Sequence, residues 1–296
     1  MGMFVAVHKR KIAILFYLDA KQQTFHIQLY SYLLLSAKLF CMEYGMVIVP
    51  TAPVRRKPNH RREMVNQLLF GETVKVLKEK GSLWVKIRSL HDGYEGWMTN
   101  TLLQEIAEAD ASAAAKYVTA DLINTIVIKE TKVSIPLGSS LQQFENGKGS
   151  IGDVEYGFAG KYKKRGEETA SGSMIEELAM QWLNAPYLWG GRTIFGVDCS
   201  GFVQVNYKIM GIDLPRDAWQ QAQEGNPVNK LKDAAKGDLA FFDDKEEIVH
   251  VGILLGPDMI IHASGKVRID TIDRKGIINS DTGKRTHSLK AIRKII

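Results

Sequence analysis

The chain is poor in cysteine: 296 residues contain only Cys41 and Cys199. Two thiols make no disulfide framework, and a reducing compartment suits such a chain better than an oxidising one. No Cys-x-x-Cys and no closely spaced histidine pair occurs, so no structural metal is expected, and no motif asks for a cofactor. Long apolar runs are also missing. Residues 12–18 and 29–35 are too short to span a bilayer, so stable membrane insertion is not expected. A basic stripe is absent as well. The formal charge is +6, but residues 1–41 hold Lys9, Arg10, Lys11, Lys21 and Lys38 against Asp19 alone. The rest of the chain is nearly balanced, which argues against nucleic acid as a partner.

What is present describes an ordinary globular chain, 45% hydrophobic and 24% charged, long enough for two or three domains. Lys9-Arg10-Lys11 and the apolar run behind it mimic a signal peptide, but no clear small-residue cleavage site follows. Phe40 stands where a lipoprotein signal ahead of Cys41 needs a small residue. Met42 immediately precedes the first recognisable domain. Residues 1–41 are therefore read as a mis-called extension, with a weak export signal as the alternative. The first reading gives a cytoplasmic product, the second an exported one.

The chain is organised around Asp198-Cys199-Ser200-Gly201-Phe202. Phe202, Val205, Ile209 and Met210 follow at helical spacing until Gly211, which places Cys199 at a helix N-terminus. The unpaired N–H groups and the dipole there favour an anion, so a thiolate nucleophile is expected. A buried structural cysteine is the commoner fate of a lone Cys. Here His250 and His262, on two later apolar segments, supply a base and a partner that orients it. Asp198 suits a helix N-cap or a ligand for substrate backbone.

Residues 47–106 alternate short apolar strands with turns, as a small β barrel does. A weaker β pattern covers residues 117–162. Ser173 and Glu176 have capping-box spacing ahead of Ile175, Leu178, Ala179 and Trp182. The strands expected after the cysteine helix lie at 239–242, 248–255, 259–263 and 267–269. Helices followed by consecutive antiparallel strands describe an α+β domain.

Tyr187, Gly190-Gly191, the Asp198–Phe202 pentapeptide, Pro215-Arg216-Asp217, Lys236-Gly237-Asp238-Leu239, His250-Val251-Gly252-Ile253 and Ile261-His262-Ala263-Ser264-Gly265 resemble the NlpC/P60 cysteine peptidases. Gln67 to Glu72, Trp84-Val85-Lys86 and Gly93 to Trp97 resemble bacterial SH3 domains. The resemblance implies a papain-like domain over 173–296, preceded by SH3-like barrels over 42–106 and 107–165. It implies Cys199, His250 and His262 as the catalytic residues. It also implies an oxyanion and substrate site with Tyr187, Asp198, Ser200 and Asp217. Ala218 replaces a Ser that relatives often carry, which removes one substrate hydrogen bond. Relatives with SH3-like domains cut between γ-D-Glu and the diamino acid of peptidoglycan stem peptides. In them, an acid and a tyrosine matching Glu63 and Tyr94 hold a free L-Ala amine. A recycling peptidase acting on murein peptides is expected. The alternatives are a secreted wall hydrolase, a wall-binding module with little activity, and an acyltransferase using the same Cys–His layout.

Overall fold

The computed structural model describes residues 5–8, 11–14, 42–244 and 247–296. Residues 1–41 and 42–296 are separate compact units. In the first, β1 (Val5–His8) and β2 (Lys11–Ile14) pair antiparallel. The rest of the expected extension or signal, Cys41 included, lies outside the described residues. No helix among the described residues is long and apolar enough to cross a membrane.

In the second unit, β3 (Tyr44–Val47), β4 (Thr51–Arg55), β5 (Met64–Leu69), β6 (Thr73–Lys80), β7 (Trp84–Ser89), β8 (Glu95–Thr99) and β9 (Leu103–Ile106) form one antiparallel sheet. Its order is β5-β4-β8-β7-β6-β3-β9, and it curls around Val47, Ala52, Val54, Leu68, Val74, Val85, Ile87 and Met98. These residues fall on alternate strand positions, which is the period that let the sequence be read. A short helix, α1 (Glu108–Ser112), leads to the second β segment.

That segment holds β10 (Tyr117–Thr119), β11 (Ile123–Ile128), β12 (Thr131–Pro136), β13 (Ser140–Leu141), β14 (Lys148–Ile151), β15 (Val154–Phe158) and β16 (Tyr162–Lys164). They form sheets β13-β10-β16 and β12-β11-β15-β14. Ile126, Ile135, Leu141, Phe144, Tyr156 and Phe158 share one core with Tyr44, Met46, Phe70 and Ile106 of the first sheet. The segment's sequence pattern is weak because part of its core comes from elsewhere.

The last region begins with α2 (Gly172–Met180). Its cap is Ser171, whose hydroxyl accepts from the Met174 N–H, rather than the expected Ser173. Gly172 starts this helix because a Cβ there would lie 2.1 Å from the Lys236 carbonyl oxygen. The small pair β17 (Arg192–Thr193) and β18 (Gly196–Val197) precedes α3 (Cys199–Ile209), and α4 (Ala218–Gln221) and β19 (Asn226–Pro227) follow it. Then come β20 (Leu239–Asp244), β21 (Glu247–Leu254), β22 (Met259–Ser264), β23 (Lys266–Asp273), β24 (Gly276–Ile278) and β25 (Arg285–Lys294). β25 pairs with both β20 and β24, so the sheet closes on itself. One face, with Leu239, Phe241, Val251, Ile253 and Ile261, packs α2 and α3; the other encloses Ala240, Phe242, Leu254, Ile260 and Ile292.

Every residue of α3 is buried, where the sequence suggested one apolar face. Its polar residues each find a partner, although Gln204 Oε1 and Asn206 Oδ1 have none among the described residues. Gln204 donates to Asp92 and to the Leu214 carbonyl, and Asn206 donates to the Phe202 carbonyl. Lys208 pairs with Glu72 of the first barrel at 2.6 Å. Arg192 grips the same carboxylate through two nitrogens, at 2.8 and 3.0 Å. Burial alone would raise the Glu72 carboxyl, but Arg192 and Lys208 outweigh it and hold it well below the usual carboxylate range.

Glu72→Gln should therefore strand two buried cations and cost about 3–5 kcal/mol, lowering the thermal midpoint by about 10 °C. The stability that Glu72 adds is complete above its unfolded value of about 4.3 and is lost as pH falls toward its folded one. Thermal unfolding from pH 7 to 3 should show an acid-side loss in the wild type that is smaller in Glu72→Gln.

Candidate active site

Asp198 is the N-cap of α3, in extended backbone conformation, and its Oδ1 accepts the Gly201 N–H at 2.7 Å. Its Oδ2 accepts the Gly190 N–H at 2.8 Å, which ties the Tyr187 loop to the helix start. Arg216 closes both oxygens, at 3.0 and 2.6 Å. These four bonds occupy the carboxylate, so the capping role is realised and neither oxygen is open to a substrate backbone. Ser200 accepts from Arg216 at 2.9 Å and is buried, so its hydroxyl braces the site instead of facing substrate.

Cys199 follows that cap and is 5% exposed. Burial pushes its thiol up to about 12, helped by the Asp198 charge; the Val251 and Ser200 backbone N–H groups and Arg216 oppose this. The sequence led us to expect a thiolate from the helix N-terminus. The structure gives a neutral resting thiol, because desolvating the anion outweighs the few donors aimed at it.

His250 lies on β21 beside Val251. Its Nε2 is 2.7 Å from His262 Nδ1, so the two histidines meet as the sequence suggested. Among the described residues, no hydrogen bond joins the His250 ring to the Cys199 sulfur; catalytic hydrogen bonds often tighten only in the Michaelis complex. The sequence reading missed the next link. His262 Nε2 is 3.0 Å from Asp270 Oδ2, and Arg268 and the Ser280 N–H also donate to that carboxylate.

With both rings neutral, the chain of bonds fixes the tautomers. A carboxylate accepts only, so His262 carries its proton on Nε2 and accepts at Nδ1. His250 then donates from Nε2, which leaves Nδ1 as its basic nitrogen. Burial, then His262 and His287, hold the His250 imidazole well below its ordinary range, so it too rests neutral. Gly252 lets the pair form: a Cβ there would sit 2.8 Å from His262 Cβ.

Tyr187 is half-buried on the loop ahead of α3, where burial first, and then the nearby Cys199 and Asp198, raise its hydroxyl above its usual value. Asp217 caps α4; burial raises its carboxyl, while Arg216 and a bond from the Trp219 indole oppose this. Tyr94, from the first barrel, is pushed up to about 12 by burial and by Asp217. Glu63 comes from the same barrel. It accepts the Trp189 indole N–H at 3.0 Å and pairs with Arg56 at 3.0 Å. Gly190 packs against that barrel so closely that a Cβ would lie 2.8 Å from the Met64 carbonyl oxygen. The first barrel and the Cys199 loop thus form one wall. Among the described residues, no cluster of His, Cys, Asp or Glu has the geometry to hold a metal.

An amide hydrolysis by this geometry needs His262 held by Asp270. Asp270→Asn should lower kcat about 10- to 100-fold with little change in KM, measured by steady-state hydrolysis. Alkylation of Cys199 by iodoacetamide should keep rising from pH 7 to 10; a plateau at neutral pH would mean a preformed thiolate.

Residues 184–286 match the NlpC/P60 family, and residues 54–103 match the bacterial dipeptidyl-peptidase Sh3 domain. The chain is 32% identical over 215 residues to a gamma-D-glutamyl-L-lysine dipeptidyl-peptidase of Bacillus subtilis, covering 67% of this chain and 71% of that one. Dipeptidyl-peptidase 6 of Lysinibacillus sphaericus is 26% identical over 263 residues, covering 78% and 92%. A crystal structure of an NlpC/P60 family protein from Bacillus cereus shares the fold, with a TM-score of 0.71 at 21% identity over 85% of this chain and 99% of that one. With the first barrel and the Cys199 region each matched, and a relative 32% identical over 71% of its length, the chain belongs to the NlpC/P60 family of cysteine peptidases.

Proposed function

We propose that the protein cuts the bond between γ-D-Glu and the following L-diamino acid in peptidoglycan stem peptides that carry a free N-terminal L-Ala. The observation that carries this reading is Glu63. It belongs to the first barrel, yet its carboxylate bonds Trp189, two residues beyond Tyr187 on the loop that leads to Cys199. An ammonium entering there replaces or joins Arg56 on that carboxylate, since the Arg56 side chain is 67% exposed and easily moved. Tyr94 lies in the same wall, beside Asp217. A barrel closing this end of the site would exclude a stem still joined to glycan through its amine.

The chemistry follows from the bonds described above. Cys199 gives its proton to His250 Nδ1 as its sulfur attacks the γ-carbonyl carbon of D-Glu. The Cys199 N–H and the Tyr187 hydroxyl donate to the oxyanion. His250 then protonates the leaving amine of the diamino acid, and water hydrolyses the remaining thioester to free L-Ala-γ-D-Glu and restore the thiol. His262, held by Asp270, supports the imidazolium between the two transfers. Asp217, beside Tyr94, is the acid this reading assigns to the substrate side. Free L-Ala amines arise once stems leave the glycan, so the reading places the enzyme in murein peptide recycling in the cytoplasm.

Mass spectrometry of the full chain with L-Ala-γ-D-Glu-L-Lys and L-Ala-γ-D-Glu-meso-diaminopimelate tests this, run beside N-acetylated and muramoyl-linked forms. The free peptides should release L-Ala-γ-D-Glu, and Cys199→Ala should abolish it. Glu63→Gln should raise KM about tenfold or more, the worth of a charge-assisted bond. Equal cleavage of blocked peptides would overturn the amine requirement and favour a hydrolase of intact wall.

A further inference from the structure

The chemistry above leaves one histidine at the centre without a part. His287, on β25, stacks on His250 with ring centroids 4.2 Å apart and planes inclined by 23°. It meets His262 edge-on at 5.9 Å and Phe242 at 6.0 Å. Its Nδ1 is 2.8 Å from Thr286 Oγ1. The strand register explains the meeting. Phe242 pairs with His250 on β21 and with Leu289 on β25, so the residue two before Leu289 falls on the face that carries His250.

We propose that His287 is a positioning residue for this reaction: stacked on His250, it fixes that ring so that Nε2 stays on His262 and Nδ1 stays open to the Cys199 proton. It also presents a neutral π face to the imidazolium formed in the first step. The proposal rests on the thiol–imidazole chemistry of the proposed function, but not on its substrate.

A single hydrogen bond to His262 holds one edge of the His250 ring, and Phe242 meets it only obliquely, with centroids 5.8 Å apart and planes at 45°, which leaves the ring some rotation about that bond. A parallel ring on its face removes that freedom, as second contacts do around metal-bound and catalytic histidines. The charged and titratable groups around His287 are few. His250 and His262 face it from β21 and β22, and Asp270, neutralised by Arg268, faces it from β23. Asp243 and Lys290 pair with each other on β20 and β25. Burial and then His262 push His287 down to about 4, with Asp270 opposing. It is neutral at working pH. In acid its own proton places a cation against His250, and proton transfer from Cys199 is then opposed.

The test uses the full chain, His287→Ala and His287→Phe. The rate of Cys199 alkylation by iodoacetamide, read by mass spectrometry of the Cys199 peptide, needs no peptide substrate. It is followed from pH 4 to 9 beside hydrolysis kinetics. His287→Ala should slow alkylation at pH 7 about tenfold and lower kcat about 10- to 100-fold, with KM within about twofold. His287→Phe stacks but does not titrate. It should return both rates to within about threefold of wild type at pH 7 and keep a larger share of activity at pH 4–5. Wild-type rates in His287→Ala would overturn the proposal, and so would a His287→Phe as slow as His287→Ala. If alkylation follows this pattern while no peptide is cut, the substrate reading fails and the role of His287 stands.

Discussion

The site depends on one buried carboxylate. Asp198 caps the cysteine helix, holds the Gly190 N–H of the Tyr187 loop, and takes both arms of Arg216. Arg216 in turn donates to Ser200 Oγ and to Asn66 Oδ1 of the first barrel. The loop, the helix start, Arg216 and a distant strand of the first barrel are thereby fixed to one pair of charges. Such a pair is weak evidence for stability, since desolvation offsets much of its attraction. Its geometric consequence is firm: Arg216 holds Asp198 through two nitrogens and reaches Asn66 with a third, so the helix, the loop and the barrel are tied into one arrangement. Glu72 repeats the device at the other end of α3 through Lys208 in the last turn. The helix that carries Cys199 is clamped to the first barrel at both ends.

The same burial sets the chemistry. It raises the Cys199 thiol and lowers the His250 imidazole, so both rest uncharged. In the proposed mechanism, charge separation is then confined to the moment when a substrate carbonyl and the oxyanion donors are in place. There the chain His250–His262–Asp270 would make that moment productive by fixing which nitrogen is basic. A dry, neutral resting site also protects a reactive thiol from adventitious electrophiles.

The sequence made the centre legible because the centre is local. The Asp198–Phe202 pentapeptide marks a cap and a helix start, and His250 and His262 sit in strands with clear apolar neighbours. The first barrel was legible for the same reason, since its strands bury their own alternating residues. What escaped was whatever depends on partners distant in sequence. Asp270 and Arg268 lie on β23, which continues past the expected end at residue 269 because it pairs with β22 and β24. β25 reads Arg285 to Lys294, polar at most positions, and is a strand because β20 and β24 flank it. His287 had no motif around it for that reason. The thiolate expectation failed because spacing reports a helix N-terminus but not how dry it is. Glu72 ends a stretch that resembles SH3 domains, and only the fold brings Arg192 and Lys208 to it.

The central claim is that the first barrel reads a free amine at the end of the site that Cys199 serves. The most direct measurement is a crystal structure of the full chain as Cys199→Ala with L-Ala-γ-D-Glu-L-Lys bound. The account predicts the L-Ala ammonium at about 3 Å from a Glu63 oxygen, with the γ-carbonyl carbon beside residue 199 and its oxygen toward Tyr187. A peptide whose amine points to solvent, with Glu63 still shared between Trp189 and Arg56, would contradict it.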